Sequence, residues 1–174
     1  MIRALGRVLR RWRAGADTRV AEDPRFAEVP RTLIVRAAFA HGEPLPEGSA
    51  SPALEWTGVP DGTATLAIVV EDIDVPIPRA ATHAVAYAID PQTTSLEAGA
   101  LAPDRMTLGF NIGGRRAFAP AAPLPGHGPH RYVFTVLAID YVPRFDQPPT
   151  RGRLLDAVAG HVVALGEITG TRER

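Results

Sequence analysis

The sequence predicts a mainly β, sandwich-like domain carrying one or two helices. Short segments rich in β-branched and apolar residues are separated by dense proline and glycine punctuation. At 174 residues the chain suits one domain with a real core and is too short for two. Its 45% hydrophobic and 22% charged residues are an ordinary globular balance.

Residues 1–24 read as a basic amphipathic helix and tail, and residues 25–174 as the domain. In the first 20 residues six arginines (Arg3, Arg7, Arg10, Arg11, Arg13, Arg19) face one acid, Asp17, although the whole chain has zero formal charge. Ile2, Leu5, Val8, Leu9 and Trp12 recur at spacings that line one helical face. Such a segment can lie on an anionic membrane surface, pack on its own acidic domain, or fray as a tail. It lacks the apolar stretch and cleavage site of a secretory signal.

Residues 31–39 (RTLIVRAAF) then read as a first strand, and residues 41–52, with their turn-forming clusters, as loop. Residues 64–70 (ATLAIVV) are a nearly continuous apolar run, as expected of a strand buried on both faces. Residues 83–89 (HAVAYAI) and 131–139 (RYVFTVLAI) are two further strands, joined through a loop-rich stretch over 103–129. Apolar spacing predicts a helix over 153–165, weakened in its middle by Gly160.

Composition narrows the function classes. No cysteine is present, so disulfides, thiolate metal sites and a cysteine nucleophile are excluded. This usage fits a reducing cytoplasm. All 19 basic residues are arginine, and the balance of charge gives no reason to expect a nucleic-acid partner. No apolar run approaches the ~20 residues of a membrane span.

The candidate chemistry sits beside the buried strand. In Glu71-Asp72-Ile73-Asp74-Val75-Pro76, carboxylates at i and i+2 point the same way if the backbone is extended. Two close like charges need partners, or one keeps its proton. A solvated turn is the plainer reading of Asp72 and Asp74 in isolation. His83 and His130 open two strands and can meet at one end of a sheet, whereas His127 and His41 lie in solvent-facing loops and His161 in the expected helix. Within Gly126-His127-Gly128-Pro129-His130-Arg131-Tyr132, strand alternation gives His130 and Tyr132 one face and Arg131 the other. Arg131 is then free to neutralise a buried aspartate, for which Asp74 is the candidate.

Three segments together resemble the phosphatidylethanolamine-binding protein family, also called the Raf kinase inhibitor-like family. Ser51-Pro52-Ala53-Leu54-Glu55-Trp56 followed by Gly58-Val59-Pro60 is similar to its S-P-x-L-x-W…G-x-P entry segment. Asp72, Asp74 and Pro76 match its D-P-D-x-P element, with His83 at its strand-opening histidine. Residues 128–134 (GPHRYVF) resemble its G-x-H-R-Y-x-F element, and residues 160–171 resemble the closing segment of the bacterial branch. The resemblance spans about residues 31–171. It implies a large central β-sheet packed on a smaller one, with helical elements near the C-terminus. It implies an anion pocket for phosphate and related headgroups formed by Asp72, His83, His130 and Tyr132, with Pro123 on the rim. It further implies a non-catalytic regulator of a kinase or protease, without cofactor. Three positions depart from the pattern: Ile73 and Leu124 replace prolines, and Ala84 replaces an aromatic residue.

The expected mechanism has Asp72 fixing the tautomer of His83 or His130, so that a protonated imidazole meets the anion. Affinity is then strongest in acid and fades as pH rises past the histidine range, about 6.5 when unperturbed. Two rivals use the same or adjoining residues: a metal-dependent enzyme built on the two histidines and Asp72, and a phospholipid-binding protein peripheral to a membrane through residues 1–20. A serine hydrolase has little support, since no G-x-S-x-G occurs.

Overall fold

The computed structural model describes residues 2–174. β1 (Ile34–Ala37), β2 (Leu54–Thr57) and β5 (Ser95–Leu96) form a small sheet in the order β1-β2-β5. β3 (Thr65–Asp72), β4 (Ala81–Ile89), β6 (His130–Ile139) and β7 (Val162–Arg172) form a larger antiparallel sheet in the order β4-β3-β6-β7. The expected fold, a large sheet packed on a smaller one, is the observed one.

β3 is central in both senses. All eight of its residues are buried, and its side chains alternate between two cores. Leu66, Ile68 and Val70 join Val35, Leu54, Trp56, Phe134 and Val136 between the two sheets. Ala67 and Val69 face the other way, onto Leu137, Ile139 and Leu165 and onto Leu154, Leu155 and Val158 of helix α2 (Arg151–Val158), numbered second in chain order. Each fully buried aliphatic side chain here contributes about 1.5–3 kcal/mol. Strand alternation thus explains a sheet covered on both faces.

The helix expected over 153–165 is shorter. α2 starts at Thr150, whose side chain accepts a hydrogen bond from the Arg153 amide, and ends at Val158. Gly160 takes a φ of 79°, and the β-branched Val162 and Val163 go into β7 beside β6. The sheet offered this segment a full hydrogen-bonded ladder, which outweighed its helical spacing.

The N-terminal region combines a short helix with a packed segment. Only Ile2–Leu9 form the helix α1. From Ala14 onward the chain is part of the fold: Ala14 and Gly15 donate backbone hydrogen bonds to Val75 and Ile73, and Val20, Ala21 and Phe26 are buried in the second core. Buried Glu71 fixes this stretch by accepting the Val20 amide at 2.8 Å while pairing with Arg151 at 2.6 Å. Burial pushes the Glu71 carboxyl up, against the pull of Arg151.

Candidate functional site

The site forms where β4, β3 and β6 end together. Asp72, the last residue of β3, lies directly opposite Tyr132 of β6, so the two side chains share the face toward the small sheet. Strict alternation along β4 would put His83 on the other face, with Val85, because Ala84 and Ala86 belong to the first core. The β3–β4 register shifts between Val70 and Glu71: Thr82 opposes Glu71, Ala84 opposes Val70, and His83 is left over. This bulge turns His83 onto the same side as Ala84. Its ring accordingly meets Tyr132 edge-on, with centroids 5.2 Å apart.

His83 is held from behind. Its Nδ1 lies 2.7 Å from the carbonyl oxygen of Ala119, which can only accept, so Nδ1 carries the proton and Nε2 is left for a ligand. Burial pushes the His83 pKa below its ordinary value, opposed by the Ala119 hydrogen bond and the charge of Asp72. Tyr132 is almost wholly buried, and its hydroxyl lies near Asp72 without making a hydrogen bond of ordinary length and angle. Burial and then the neighbouring Asp72 charge push the phenol's pKa up, so it stays a donor.

His130 does something else. Its Nδ1 lies 2.7 Å from Asp72 Oδ2, and its Nε2 lies 2.7 Å from Nδ1 of His127. His127 in turn points Nε2 at the carbonyls of Leu9 and Trp12, at 2.9 and 3.1 Å. His127, expected in solvent, is fully buried beneath the N-terminal segment. These contacts fix the proton count. The carbonyls require a proton on His127 Nε2, and the His127–His130 and His130–Asp72 contacts require one each. Two neutral imidazoles carry two hydrogens, one fewer than the three contacts use.

Asp74 belongs to the scaffold. It accepts hydrogen bonds from the Arg131 amide and guanidinium, each at 2.8 Å, and pairs with Arg13 at 3.0 Å. Burial alone would raise its carboxyl, but the hydrogen bonds from Arg131 and Arg13 outweigh it and hold the pKa at about 2. The Asp74 amide bonds back to Asp72 Oδ1 at 2.9 Å, which fixes the second oxygen of Asp72. Pro123 is buried in the loop between Ala119 and His127. Phe118, whose ring lies against His83, also lines a cavity of about 130 Å³ bordered by Ser51, Ala121 and Arg172. Among the described residues no group of three His, Asp or Glu side chains is placed to hold a metal ion. His130, which the metal reading needs, already uses both ring nitrogens.

This architecture has known relatives. The family model described as phosphatidylethanolamine-binding protein matches residues 35–173. A UPF0098 protein of Chlamydia muridarum is 32% identical over 147 residues, covering 79% of this chain and 95% of the relative. Another, from Methanothermobacter thermautotrophicus, is 35% identical over 129 residues, covering 71% and 83%. A crystal structure of a putative phosphatidylethanolamine-binding protein homologue from Chlamydia trachomatis superposes with a TM-score of 0.75 at 31% identity, covering 83% of this chain and 99% of that one. Escherichia coli YbcL, described as a new member of the mammalian family, gives 0.75 at 26% identity, with the same coverage of both chains. The chain belongs to the phosphatidylethanolamine-binding protein family. The matched span begins after α1 and the buried stretch that follows it.

Proposed function

We propose that this chain is a non-catalytic binding protein for a phosphate-type anion, contacted directly by Tyr132 Oη and His83 Nε2. The observation that carries this reading is the Tyr132 hydroxyl, a buried donor that makes no ordinary hydrogen bond, since its neighbour Asp72 is engaged by His130 and the Asp74 amide, beside a histidine whose Nε2 is also unspent. An unanswered buried donor costs about 1–3 kcal/mol, which a bound anion would recover. Asp72, His130 and His127 are positioning residues in this scheme. They hold the sheet end in register and keep the carboxylate hydrogen-bonded.

The chemistry sets the sign of the pH dependence. With its pKa lowered, His83 is neutral at pH 7, and Nε2 accepts a hydrogen bond. A phosphate monoanion suits that state because its P–OH donates to Nε2 while another oxygen accepts from Tyr132. A fully ionised anion must instead bring a proton onto His83. Both routes strengthen binding as pH falls. Calorimetric titration with phosphate and with sulfate from pH 8 to 5.5 tests this, because sulfate carries no proton in that range and follows His83 alone. Tyr132→Phe should weaken both ligands about tenfold or more, the size of a charge-assisted hydrogen bond. Unchanged affinity in Tyr132→Phe, or an affinity indifferent to pH, overturns the proposal.

A further inference from the structure

We infer that α1 and the residues just after it form a foot that docks the protein on an anionic lipid bilayer, independently of the pocket. Of the eight large hydrophobic side chains that the described residues expose, four lie within the first twelve positions: Ile2, Leu5, Val8 and Trp12. Val8 and Trp12 are 77% and 68% exposed. Ile2, Leu5 and Val8 follow one side of the helix, Trp12 continues it, and Arg3 and Arg7 occupy the other side with Arg10 and Arg11 beyond them. Only Gly6 of α1 is buried, so the domain covers neither the apolar nor the basic side.

The arginines are free to meet lipid phosphates. Arg3, Arg7, Arg10 and Arg11 are exposed, and among the described residues none pairs with a carboxylate, although Arg13, Arg19, Arg25 and Arg31 do. An amphipathic helix of this kind lies along the membrane interface with its apolar stripe inward, its long arginine side chains reaching back from the opposite side to headgroup level and Arg10 and Arg11 following beyond its end. Each cation near an anionic leaflet strengthens binding roughly fivefold. A second copy of the chain fits less well. Two turns of helix are about 12 Å long, and their stripe falls far short of the ~1,200 Å² that a stable dimer buries. No helix among the described residues is long and apolar enough to cross the bilayer, so the contact is at its surface.

The backbone holds this foot to the domain. A Cβ added at Gly6 would lie 2.2 Å from the Pro125 carbonyl oxygen, and one at Gly126 would lie 2.6 Å from that of Arg3. Helix and rim loop are therefore in direct main-chain contact.

Vesicle co-sedimentation of the full chain tests the inference, using phosphatidylcholine vesicles with and without about 30% phosphatidylglycerol. Binding should require the anionic lipid, fall about tenfold or more in Val8→Glu, and fall again at 0.5 M salt. Trp12 emission should shift to the blue on binding. The shift should vanish in Trp12→Phe, because Trp56 is already buried. Tyr132→Phe should bind vesicles normally, which separates this test from that of the pocket. No sedimentation with anionic vesicles, equal sedimentation with neutral ones, or a concentration-dependent dimer that Val8→Glu abolishes without vesicle binding would each overturn it.

Discussion

His127 Nδ1 and His130 Nε2 face each other at 2.7 Å, so two imidazoles share one proton between the pocket carboxylate Asp72 and the main chain of Leu9 and Trp12. The three contacts call for three hydrogens, where two neutral imidazoles carry two. Long-range nitrogen–proton NMR at neutral pH should count them, with one ring in the doubly protonated state or Asp72 protonated. His127→Phe removes two of the three contacts and leaves the Leu9 and Trp12 carbonyls without their imidazole donor. We expect a loss of about 1–3 kcal/mol in the docking of the N-terminal segment. Faster amide exchange confined to residues 2–15 would report it.

The lowered pKa of His83 makes stability depend on pH in a known direction. The folded state binds this proton less readily than the unfolded chain, whose histidine titrates at about 6.5. Its contribution is therefore complete above 6.5 and is lost as pH falls below that value toward the folded pKa. The slope cannot exceed about 1.4 kcal/mol per pH unit for one group. Thermal unfolding from pH 8 to 5.5 should show a falling Tm, flattened in His83→Gln and partly restored by sulfate.

Asp74 acts in the opposite window. Its carboxyl is held at about 2 against an ordinary 3.8, so its contribution is present above 3.8 and lost as pH falls through 2. The shift corresponds to about 2 kcal/mol at neutral pH. Arg131→Gln should reduce stability by about 1–3 kcal/mol at pH 7 and by much less at pH 2, where about half of Asp74 is already protonated and most of its contribution is gone. Urea unfolding at the two pH values makes the comparison.

Gly6 tests the main-chain contact between α1 and the rim loop. Gly6→Val places carbon where the Pro125 carbonyl oxygen sits, and backbone cannot yield as a flexible side chain would. We expect α1 to undock while the sheets stay folded. Trypsin should then cut after Arg7, Arg10 or Arg11 about tenfold faster, with an unchanged far-UV spectrum beyond the small helical loss.

Much of this was legible in the residues. The apolar run ATLAIVV could be read as a strand covered on both sides, and alternation correctly separated Tyr132 from Arg131 on β6. His83 was legible as a residue but not in its orientation, because a register slip of one position has no mark in HAVAYAI. His127 was read as solvent-facing because its burial comes from Leu9 and Trp12, more than a hundred positions away. Its spacing of three from His130 in a glycine-rich loop was the one available signal. Residues 162–165, the start of β7, fall in the expected helix because Leu154, Leu155, Val158, Val162 and Leu165 fit helical spacing equally well. Pairing with β6, a non-local term, settled it.

The Gly6–Gly126 approach means that the outermost helix and the loop bearing Pro123 and His127 cannot shift separately without opening a gap or a collision. Whatever occupies the space beside His83 and requires that loop to swing outward must carry the amphipathic segment with it. Two small residues thereby make the first helix and this loop a single packed unit, and a side chain larger than hydrogen at either position would pry them apart.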